Sequence, residues 1–396
     1  MMKRLLIVGA SILQLPAIQR AKELGYQVAV ADYNPQAVGI AYADRYYNVS
    51  TIDEKGVCAA AEDFGADGIM TLATDMPMRS VAYTCEKLGF SGISYDTAVK
   101  ATDKGEMIKA FARHGVAHPF FYILDRDAEM DALPSELIYP VICKPTDNAG
   151  SQGVVLIKNE TELRDALHYS REHGRSGNVI IEEYMQGPEV SVETLSVNGE
   201  CHVIQITDKL TTGAPGFVEM GHSQPSALSE DTLDKIRAAA IAANKAVGIE
   251  NGPSHTEIIV TRDGPKIVEL GARLGGDCIT THLVPLSTGV DMVECCIRIA
   301  LGETPDVTRK FERGSAIRYF KQHSGVVKEI TGLADAEKID GVRQISVVHG
   351  VSETVTDITS SGARMGFVIA QAATAPEAVE VCEEALRKIK VTIENV

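Results

Sequence analysis

The first hundred residues alternate short apolar runs with segments whose apolar positions recur three and four residues apart. Strands are predicted at 5–9, 27–32 and 68–72, and helices at 13–24, 53–64 and 79–88. Strands that alternate with helices are typical of a parallel sheet covered by helices on both faces. The pattern therefore predicts an α/β domain at the start of the chain.

From about residue 120 to residue 192 the pattern becomes rich in β-like runs. One predicted strand ends in Lys144 and is followed by the small loop 150–154, which contains Gly and Ser. The backbone amides of such a loop can surround a phosphate without steric obstruction. A simple hairpin loop is the alternative, but the neighbouring lysine favours a phosphate site.

A further strand, predicted at 178–183, ends in two acidic residues and is followed by a turn and Glu189. The strand edge could offer backbone groups to a purine while a carboxylate binds ribose hydroxyls. A solvated acidic hairpin is the alternative.

The stretch 255–273 reads as a β-hairpin that turns at residues 262–265. Such a hairpin places Glu257 and Glu269 roughly opposite each other, with Arg273 close behind. Carboxylates facing a core are costly unless they are paired or bind a metal. Two facing carboxylates and a cation suit Mg²⁺ and a developing anion, as phosphoryl transfer requires. A surface hairpin with solvated glutamates is the alternative.

The composition excludes several classes of function. A chain of 396 residues is expected to form two or three domains. A net charge of −16 without a basic run argues against a nucleic-acid partner. The eight cysteines show no zinc spacing and fit buried thiols in a reducing cytosol. No apolar run is long enough for a membrane span, so we expect a cytoplasmic protein.

Two other interpretations are weaker. The N-terminal Lys3-Arg4 and the apolar run behind it resemble a signal peptide, but polar residues interrupt the run, and a first strand explains it. The dinucleotide fingerprint after Gly9 lacks its second and third glycines, and Asp32 is equally well explained by turn chemistry. An NAD-dependent dehydrogenase is therefore the least favoured activity.

In this order and spacing, these residues resemble the ATP-grasp superfamily. The segment Glu269-Leu-Gly-Ala-Arg273-Leu-Gly-Gly-Asp277 is most similar to the carboxylate–amine ligase branch, which includes L-amino acid ligases. The resemblance covers roughly residues 1–310 and extends to enzymes of purine synthesis, carbamoyl-phosphate synthetase and biotin carboxylase subunits. It implies a mixed α/β and α+β fold with three domains: a Rossmann-like domain at 1–100, an ATP-grasp domain at 101–310 with a lid at about 120–190, and an α+β domain at 311–396.

The resemblance also implies a role for each matching residue. The residues expected to bind ATP are Lys104, Lys144, Ser151, Gln152, Gly153, Glu182, Glu183, Met185 and Glu189. Glu257 and Glu269 would hold Mg²⁺ or Mn²⁺, and Arg273 and Lys144 would act on the transferred phosphoryl group. Candidate substrate contacts are His222, Gly275, Gly276 and Asp277, with His282 as a further one. Gly271 stands where many members carry a metal-binding Asn, which leaves the number of metal ions open.

The expected reaction is the ATP-dependent joining of a small carboxylic acid to an amine, with amino acids as substrates. A purine-synthesis enzyme of the same superfamily is an alternative, although no dedicated ribose-phosphate motif is present. A nucleotide-binding sensor is a second alternative, against which the retained metal carboxylates argue. A homodimer is expected because closed two-fold assemblies are common.

Overall fold

The computed structural model describes residues 2–128, 133, 137–148, 150, 152–214 and 216–395. The chain begins with the strands β1 (Arg4–Val8), β2 (Gln27–Asp32), β3 (Arg45–Asn48) and β4 (Gly68–Met70) and the helices α1 (Leu15–Glu23), α2 (Glu54–Phe64), α3 (Met78–Leu88), α4 (Tyr95–Thr102) and α5 (Lys104–His114). The strands form a parallel sheet in the order β3-β2-β1-β4. Each element predicted in this region lies within two residues of its expected ends. The mixed α/β fold class is confirmed.

Local sequence explains these elements. Leu5 to Val8 in β1 are all completely buried, as expected for a central parallel strand with helices on both faces. Asp53 caps α2 by accepting a hydrogen bond from the Gly56 amide, and the left-handed Gly65 ends the helix. Asp103 caps α5 in the same way, by accepting a hydrogen bond from the Glu106 amide.

A second, antiparallel sheet lies within the segment 120–190, for which a lid is predicted, and we call it the lid sheet. Its strands are β5 (Phe121–Leu124), β6 (Val141–Pro145), β7 (Val155–Ile157) and β8 (Val179–Glu183), in the order β5-β8-β6-β7. The helix α6 (Leu163–Glu172) packs against it with its apolar face. Lys144 and Glu182 are on the neighbouring strands β6 and β8, so the lid sheet places them side by side.

The rest of the chain is built around an eight-stranded antiparallel sheet. Its strands are β9 (Glu189–Val197), β10 (Glu200–Thr211), β11 (Glu219–Gln224), β12 (Gly252–Thr261), β13 (Gly264–Gly271), β14 (Gly314–Tyr319), β16 (Val342–Val347) and β18 (Gly366–Ala372), in the order β13-β12-β9-β10-β11-β14-β18-β16. The strands β15 (Gly325–Thr331), β17 (Thr354–Val355) and β19 (Lys390–Glu394) form a separate sheet. The helices of this part are α7 (Glu230–Val247), α8 (Val284–Thr288), α9 (Met292–Ala300), α10 (Leu333–Ala336) and α11 (Ala375–Lys388). Because β11 pairs with β14, the large sheet continues past residue 311, and the division into three domains stays a prediction.

The β12–β13 hairpin has the register that its sequence predicted. Glu257 lies directly opposite Glu269, and a bulge follows Glu257. On its other side β12 pairs with β9, which carries Glu189 and Glu193. The hairpin therefore brings acidic residues of three strands to one region of the sheet.

Two further features bear on the type of protein. Within the described ranges, none of the helices combines the length and the apolar character needed to cross a bilayer. All eight cysteines are free thiols, six of them buried, and burial raises the pKa of Cys85 and Cys382 to about 12. Thiols with such pKa values are protonated and unreactive at neutral pH.

Candidate functional site

Two cavities share one wall in the middle of the molecule. The smaller, of 410 Å³, lies between the lid sheet and the hairpin side of the large sheet. The larger, of 860 Å³, lies between the large sheet and the segments that follow the strands of the parallel sheet. The residues common to both are Lys104, Asn148, Gly150, Gln152, Lys209, Glu219, His255, Glu257, Glu269 and Arg273. The predicted metal carboxylates and the predicted catalytic arginine are all in this shared wall.

Both predicted metal carboxylates are ion-paired. Glu257 contacts the Lys209 ammonium at 3.2 Å and His255 Nε2 at 3.4 Å, and Glu269 contacts the Lys104 ammonium at 3.0 Å. Burial alone would raise the pKa of Glu257, but Lys209 and His255 hold it well below its usual range. Glu257 is therefore ionised at neutral pH, as a metal ligand must be.

This donor set fits Mg²⁺ bound together with a nucleotide. Magnesium is usually held by one or two carboxylates plus substrate phosphates, not by a complete protein cage. Glu257 and Glu269 supply two carboxylates at paired positions of neighbouring strands. In the described part of the chain, no group of three or more His, Cys, Asp or Glu residues could hold a metal ion alone. Phosphate oxygens would have to complete the coordination.

Lys209 on β10 is the centre of an acidic cluster. Its ammonium lies 2.5 Å from Glu189, 3.2 Å from Glu257 and 3.8 Å from Glu219, and its side chain is 4% exposed. Burial alone would lower the pKa of Lys209, but these three carboxylates raise it, so the lysine remains charged. Glu189, predicted to bind the ribose, lines the smaller cavity next to this lysine.

His255 of the shared wall is paired with a buried carboxylate. His255 Nδ1 lies 2.6 Å from Glu193, whose side chain is completely buried. Burial alone would lower the pKa of His255, but the Glu193 carboxylate and the Glu257 contact raise it to about 9. Gly275 packs against this pair, because a Cβ there would lie 2.7 Å from His255 Nδ1 and 2.9 Å from Glu193 Oε2.

The smaller cavity contains the predicted adenine and phosphate groups. Lys144 and Glu182 form a buried ion pair at 2.6 Å, and burial would lower the pKa of Lys144 while Glu182 raises it. Glu183 donates its amide to Phe120 O and binds the Lys266 ammonium with its carboxylate at 2.8 Å. The amide and carbonyl of Met185 make no backbone hydrogen bond within the described ranges, so they remain available to a base.

The predicted phosphate loop is described in part. Gln152 lines both cavities. Gly153 adopts a left-handed φ of 79°, and a Cβ there would collide with His173 and Pro145. Ser151 lies outside the described residues.

Arg273 is fixed by the carboxylate of Asp75, which follows β4. Its Nε and Nη2 lie 3.1 and 3.2 Å from the two carboxylate oxygens of Asp75. Burial would lower the pKa of Arg273, and Asp75 raises it. Asp75 does not cap α3, because Pro77 occupies the N-cap and no side chain caps it. Asp75 instead orients Arg273.

The candidate substrate residues lie around the larger cavity. His222 Nε2 contacts Asp277 Oδ2 at 3.3 Å, and both residues line the cavity together with Gly276. Gly275 contacts the shared wall and is absent from the cavity lining. His282 lines neither cavity and bonds to Thr281, while burial lowers its pKa. Asp32 accepts the amides of Ala10 and Asn34, as turn chemistry predicted.

Several residues at the site were not predicted from the sequence. Arg364 of the C-terminal region binds Asp277 through both terminal nitrogens at 2.8 and 2.6 Å and lies 3.8 Å from the Tyr319 ring centroid. Lys209 lies on a strand with several other polar residues, such as Gln205 and Asp208, so its sequence did not single it out. Arg364 offered no local signal, because its contact depends on two segments 87 positions apart.

Comparison with known proteins agrees with this geometry. Residues 137–281 match the family model of the ATP-grasp domain, and residues 318–394 match that of L-amino acid ligase C-terminal domain 2. The chain is 30% identical over 314 residues to the alanine–anticapsin ligase of Bacillus subtilis (strain 168), covering 73% of this chain and 66% of that protein, about two thirds of its length.

Solved structures share the fold. The L-amino acid ligase from Bacillus licheniformis superimposes with a TM-score of 0.86 at 23% identity, with 99% of each chain covered. Phosphoribosylglycinamide synthetase from Anaerococcus prevotii has a TM-score of 0.81 at 24% identity, with 99% of this chain and 100% of that chain covered. At these identities the likeness establishes the architecture alone.

Proposed function

Because the chain belongs to the ATP-grasp superfamily, in its carboxylate–amine ligase branch, we propose that it uses ATP to join the carboxylate of one amino acid to the amine of another. The observation that carries the proposal is the wall shared by the two cavities, where Glu257, Glu269 and Arg273 lie. ATP in the smaller cavity would direct its terminal phosphate to this wall. The substrate carboxylate would approach from the larger cavity.

The smaller cavity has the groups that a nucleotide needs. The free backbone groups of Met185 suit the adenine, Glu189 suits the ribose, and Lys144 and Lys104 suit the phosphates. Glu182 holds the Lys144 ammonium at 2.6 Å, so that this cation is preorganised before the nucleotide arrives. Gln152 and Gly153 of the loop would approach the phosphates from the lid side.

The reaction then proceeds in two displacements. A carboxylate oxygen of the first substrate attacks the terminal phosphorus in line, the bond from that phosphorus to the ADP oxygen breaks, and an acyl phosphate forms. The amine of the second substrate, after losing a proton, attacks the acyl carbon and expels phosphate to leave an amide. Positioning and charge stabilisation suffice for both steps, so no nucleophilic side chain is required.

The side chains of the shared wall stabilise the charge that develops. Arg273, held by Asp75, presents a fixed guanidinium to the transferred phosphoryl group. Glu257 and Glu269 are the residues that would hold Mg²⁺, which when bound neutralises phosphate charge. The lid would exclude water that otherwise hydrolyses the acyl phosphate.

The test is phosphate release from Mg·ATP with a panel of amino acids and small carboxylic acids, offered singly and in pairs. The variant Glu269→Ala removes a metal carboxylate, and Glu200→Ala, at a 79% exposed side chain on the far end of β10, is the matched control. We expect release that requires one acid–amine pair, is lost in Glu269→Ala and persists in Glu200→Ala.

Other outcomes would contradict the proposal in distinct ways. Release only with glycine plus phosphoribosylamine would assign the chain to purine synthesis. Tight ATP binding without release for any pair would make it a nucleotide sensor. Mass spectrometry of the product distinguishes amide formation from idle ATP hydrolysis.

A further inference from the structure

The larger cavity contains two arginines that pair with no carboxylate of the described residues. Among the cationic side chains of its wall, Lys104 pairs with Glu269, Lys209 with three glutamates and Arg273 with Asp75. Arg79 and Arg175 also line this cavity, and neither forms an ion pair with a described residue. Neither lines the smaller cavity, so both are separate from the predicted nucleotide site.

Arg79 is half-buried and oriented by the protein. Its Nε donates to Thr102 Oγ1 at 2.8 Å, whereas Nη1 and Nη2 have no acceptor in the described structure. Glu54 lines the same cavity, but its carboxylate accepts the Tyr95 hydroxyl at 2.6 Å and forms no ion pair with Arg79. A guanidinium held at Nε with two free terminal nitrogens is suited to bind an anion through a fork.

The start of α3 adds donors at the same place. Pro77 occupies the N-cap without a side-chain hydrogen bond, and in the described structure the Arg79 and Ser80 amides have no acceptor. Ser80 lines the cavity, and its completely buried Oγ has no hydrogen-bond partner among the residues that the structure describes. Helix α3 follows β4 at the carboxyl edge of the parallel sheet, where the strand order reverses beside β1. Free amides at such a helix start are suited to bind an anion.

Arg175 completes the group from the lid. It lies between α6 and β8, and its Nη1 contacts the Met76 sulfur at 3.1 Å. Its Nη2 donates to Asp147 O at 2.9 Å. These contacts hold the guanidinium of the lid beside the segment that leads into α3.

We propose that Arg79, Arg175, Ser80 and the first amides of α3 form an anion subsite for a second anionic group on one of the two substrates. This inference rests on the proposed ligase function and narrows it to substrates that carry a carboxylate or a phosphate besides the reacting group. The subsite is distinct from the reacting centre, because its residues line only the larger cavity. A carboxylate and a phosphate are equally suited to an arginine fork and to helix amides, so the experiment is designed to distinguish the two.

The test compares matched acidic and neutral amino acids. Binding of aspartate and asparagine, glutamate and glutamine, and O-phosphoserine and serine is measured by calorimetry with the full chain and a non-hydrolysable Mg·ATP analogue. The pairs are then compared by kcat/KM for phosphate release. The variants are Arg79→Gln and Arg175→Gln. Arg262→Gln, at a 93% exposed side chain of the hairpin turn, is the matched control.

The wild type is expected to prefer the acidic member of at least one pair by about tenfold or more. Arg79→Gln is expected to reduce that preference by roughly tenfold, because it removes charged hydrogen bonds. Arg175→Gln changes an exposed side chain and is therefore expected to fold. It provides the same test if Arg79→Gln does not fold. Preference for O-phosphoserine over aspartate and glutamate identifies a phosphate, and the reverse identifies a carboxylate.

The inference is overturned if the wild type binds acidic and neutral members alike, or if both arginine variants weaken the two members equally. The failure of this inference can be distinguished from the failure of the proposed ligase function. Turnover without any acidic preference rejects the subsite and leaves the ligase intact. An arginine-dependent acidic preference in binding, without turnover for any pair, rejects the ligase and retains the subsite.

Discussion

At the scale of single residues, Gly275 shows how little space the shared wall allows. A Cβ at this position would lie 2.7 Å from His255 Nδ1 and 2.9 Å from the Glu193 carboxylate, and both side chains are buried. Neither neighbour is the free end of a flexible surface chain. Substitution must therefore separate the His255–Glu193 pair or displace the segment that carries Arg273.

We predict that Gly275→Ala lowers the free energy of unfolding by about 1–3 kcal/mol, as overpacking of a core does. Gly276→Ala is the matched control, since a Cβ there meets nothing within 4 Å. The control is expected to change stability by less than about 0.5 kcal/mol. Urea unfolding of the wild type and the two variants tests this prediction. Equal unfolding midpoints would show that the Cβ at position 275 is accommodated without cost.

Lys209 provides a second test at this scale. Lys209→Met would leave Glu189, Glu219 and Glu257 facing one another without their shared cation. Because these carboxylates are about a quarter exposed, we expect the free energy of unfolding to fall by about 3 kcal/mol, which is the lower end of the range for a broken buried ion pair. Mg²⁺ should restore part of the lost melting temperature in the variant. A variant that is as stable as the wild type, or whose melting temperature does not change with Mg²⁺, would show that the three carboxylates do not repel one another.

Single residues could be predicted where chemistry and spacing coincide. Glu257 and Glu269 were identifiable because a hairpin fixes which positions face each other. The role of Asp75 could not be predicted from its position before α3, because only the tertiary structure brings Arg273 to it. The orphan Ser80 hydroxyl could not be predicted, since a lack of partners is a property of packing.

At the scale of elements, the segment from Gly275 to Cys278 has a strained backbone. Asp277 and Cys278 are consecutive non-glycine residues with φ of 51° and 60°, in the left-handed region. Arg364 holds the segment by its fork to the Asp277 carboxylate. The C-terminal region thus fixes the loop that follows Arg273, which explains why a strained loop persists here.

We predict a pH dependence for this contact. Burial would raise the pKa of Asp277, but His222 and Arg364 hold it well below its usual range. A lowered pKa means that the stabilisation is present above the ordinary value of about 4 and is lost as pH falls toward the folded value. Asp277→Asn keeps the left-handed backbone accessible while removing the charge.

Asp277→Asn should therefore melt below the wild type at pH 7, and the gap should narrow below about pH 4. Arg364→Met should behave in the same way, whereas Arg387→Met, in the exposed last turn of α11, is the control. Melting curves of all four proteins between pH 3 and pH 7 provide the test. A constant gap would mean that the charge of Asp277 does not stabilise the fold.

The elements themselves were predictable where the apolar period was clear. In the N-terminal domain, β2 has the predicted bounds and the other elements differ by one or two residues. The ends of helices also depend on caps, and the side chains of Asp53 and Asp103 cap α2 and α5. The order of strands in the large sheet was beyond the sequence, because antiparallel pairing such as β11 with β14 joins segments about ninety residues apart.

At the scale of the whole molecule, the site is assembled from every part of the chain. The parallel sheet supplies Asp75, the lid sheet supplies Lys144, the large sheet supplies Glu257 and Glu269, and the C-terminal region supplies Arg364. No single segment contains the binding groups. Ligands that bind only this assembled state must therefore stabilise the entire fold.

This coupling yields a prediction on metal and nucleotide together. ADP with Mg²⁺ should raise the free energy of unfolding by about 2.7 kcal/mol at a hundred times its Kd. Chelation with EDTA should remove part of that gain while leaving the part due to the adenosine. Glu257→Gln should lose only the magnesium-dependent part, because the adenine and ribose groups of the smaller cavity are unchanged. Glu200→Gln, far along β10, should retain both parts.

Melting curves with ADP, with ADP plus Mg²⁺ and with ADP plus EDTA separate the two contributions for each protein. A gain that is indifferent to EDTA would reject Glu257 and Glu269 as metal ligands, whatever the nucleotide does. A Glu257→Gln variant that keeps the full magnesium increment would assign the metal to Glu269 and the phosphates alone. The ion pairs of Glu257 with Lys209 and His255 sharpen this test, because Mg²⁺ must compete with both cations for one carboxylate. Lowering the ionic strength should therefore increase the Mg²⁺-dependent gain in the free energy of unfolding by less than it would for two carboxylates without cationic partners.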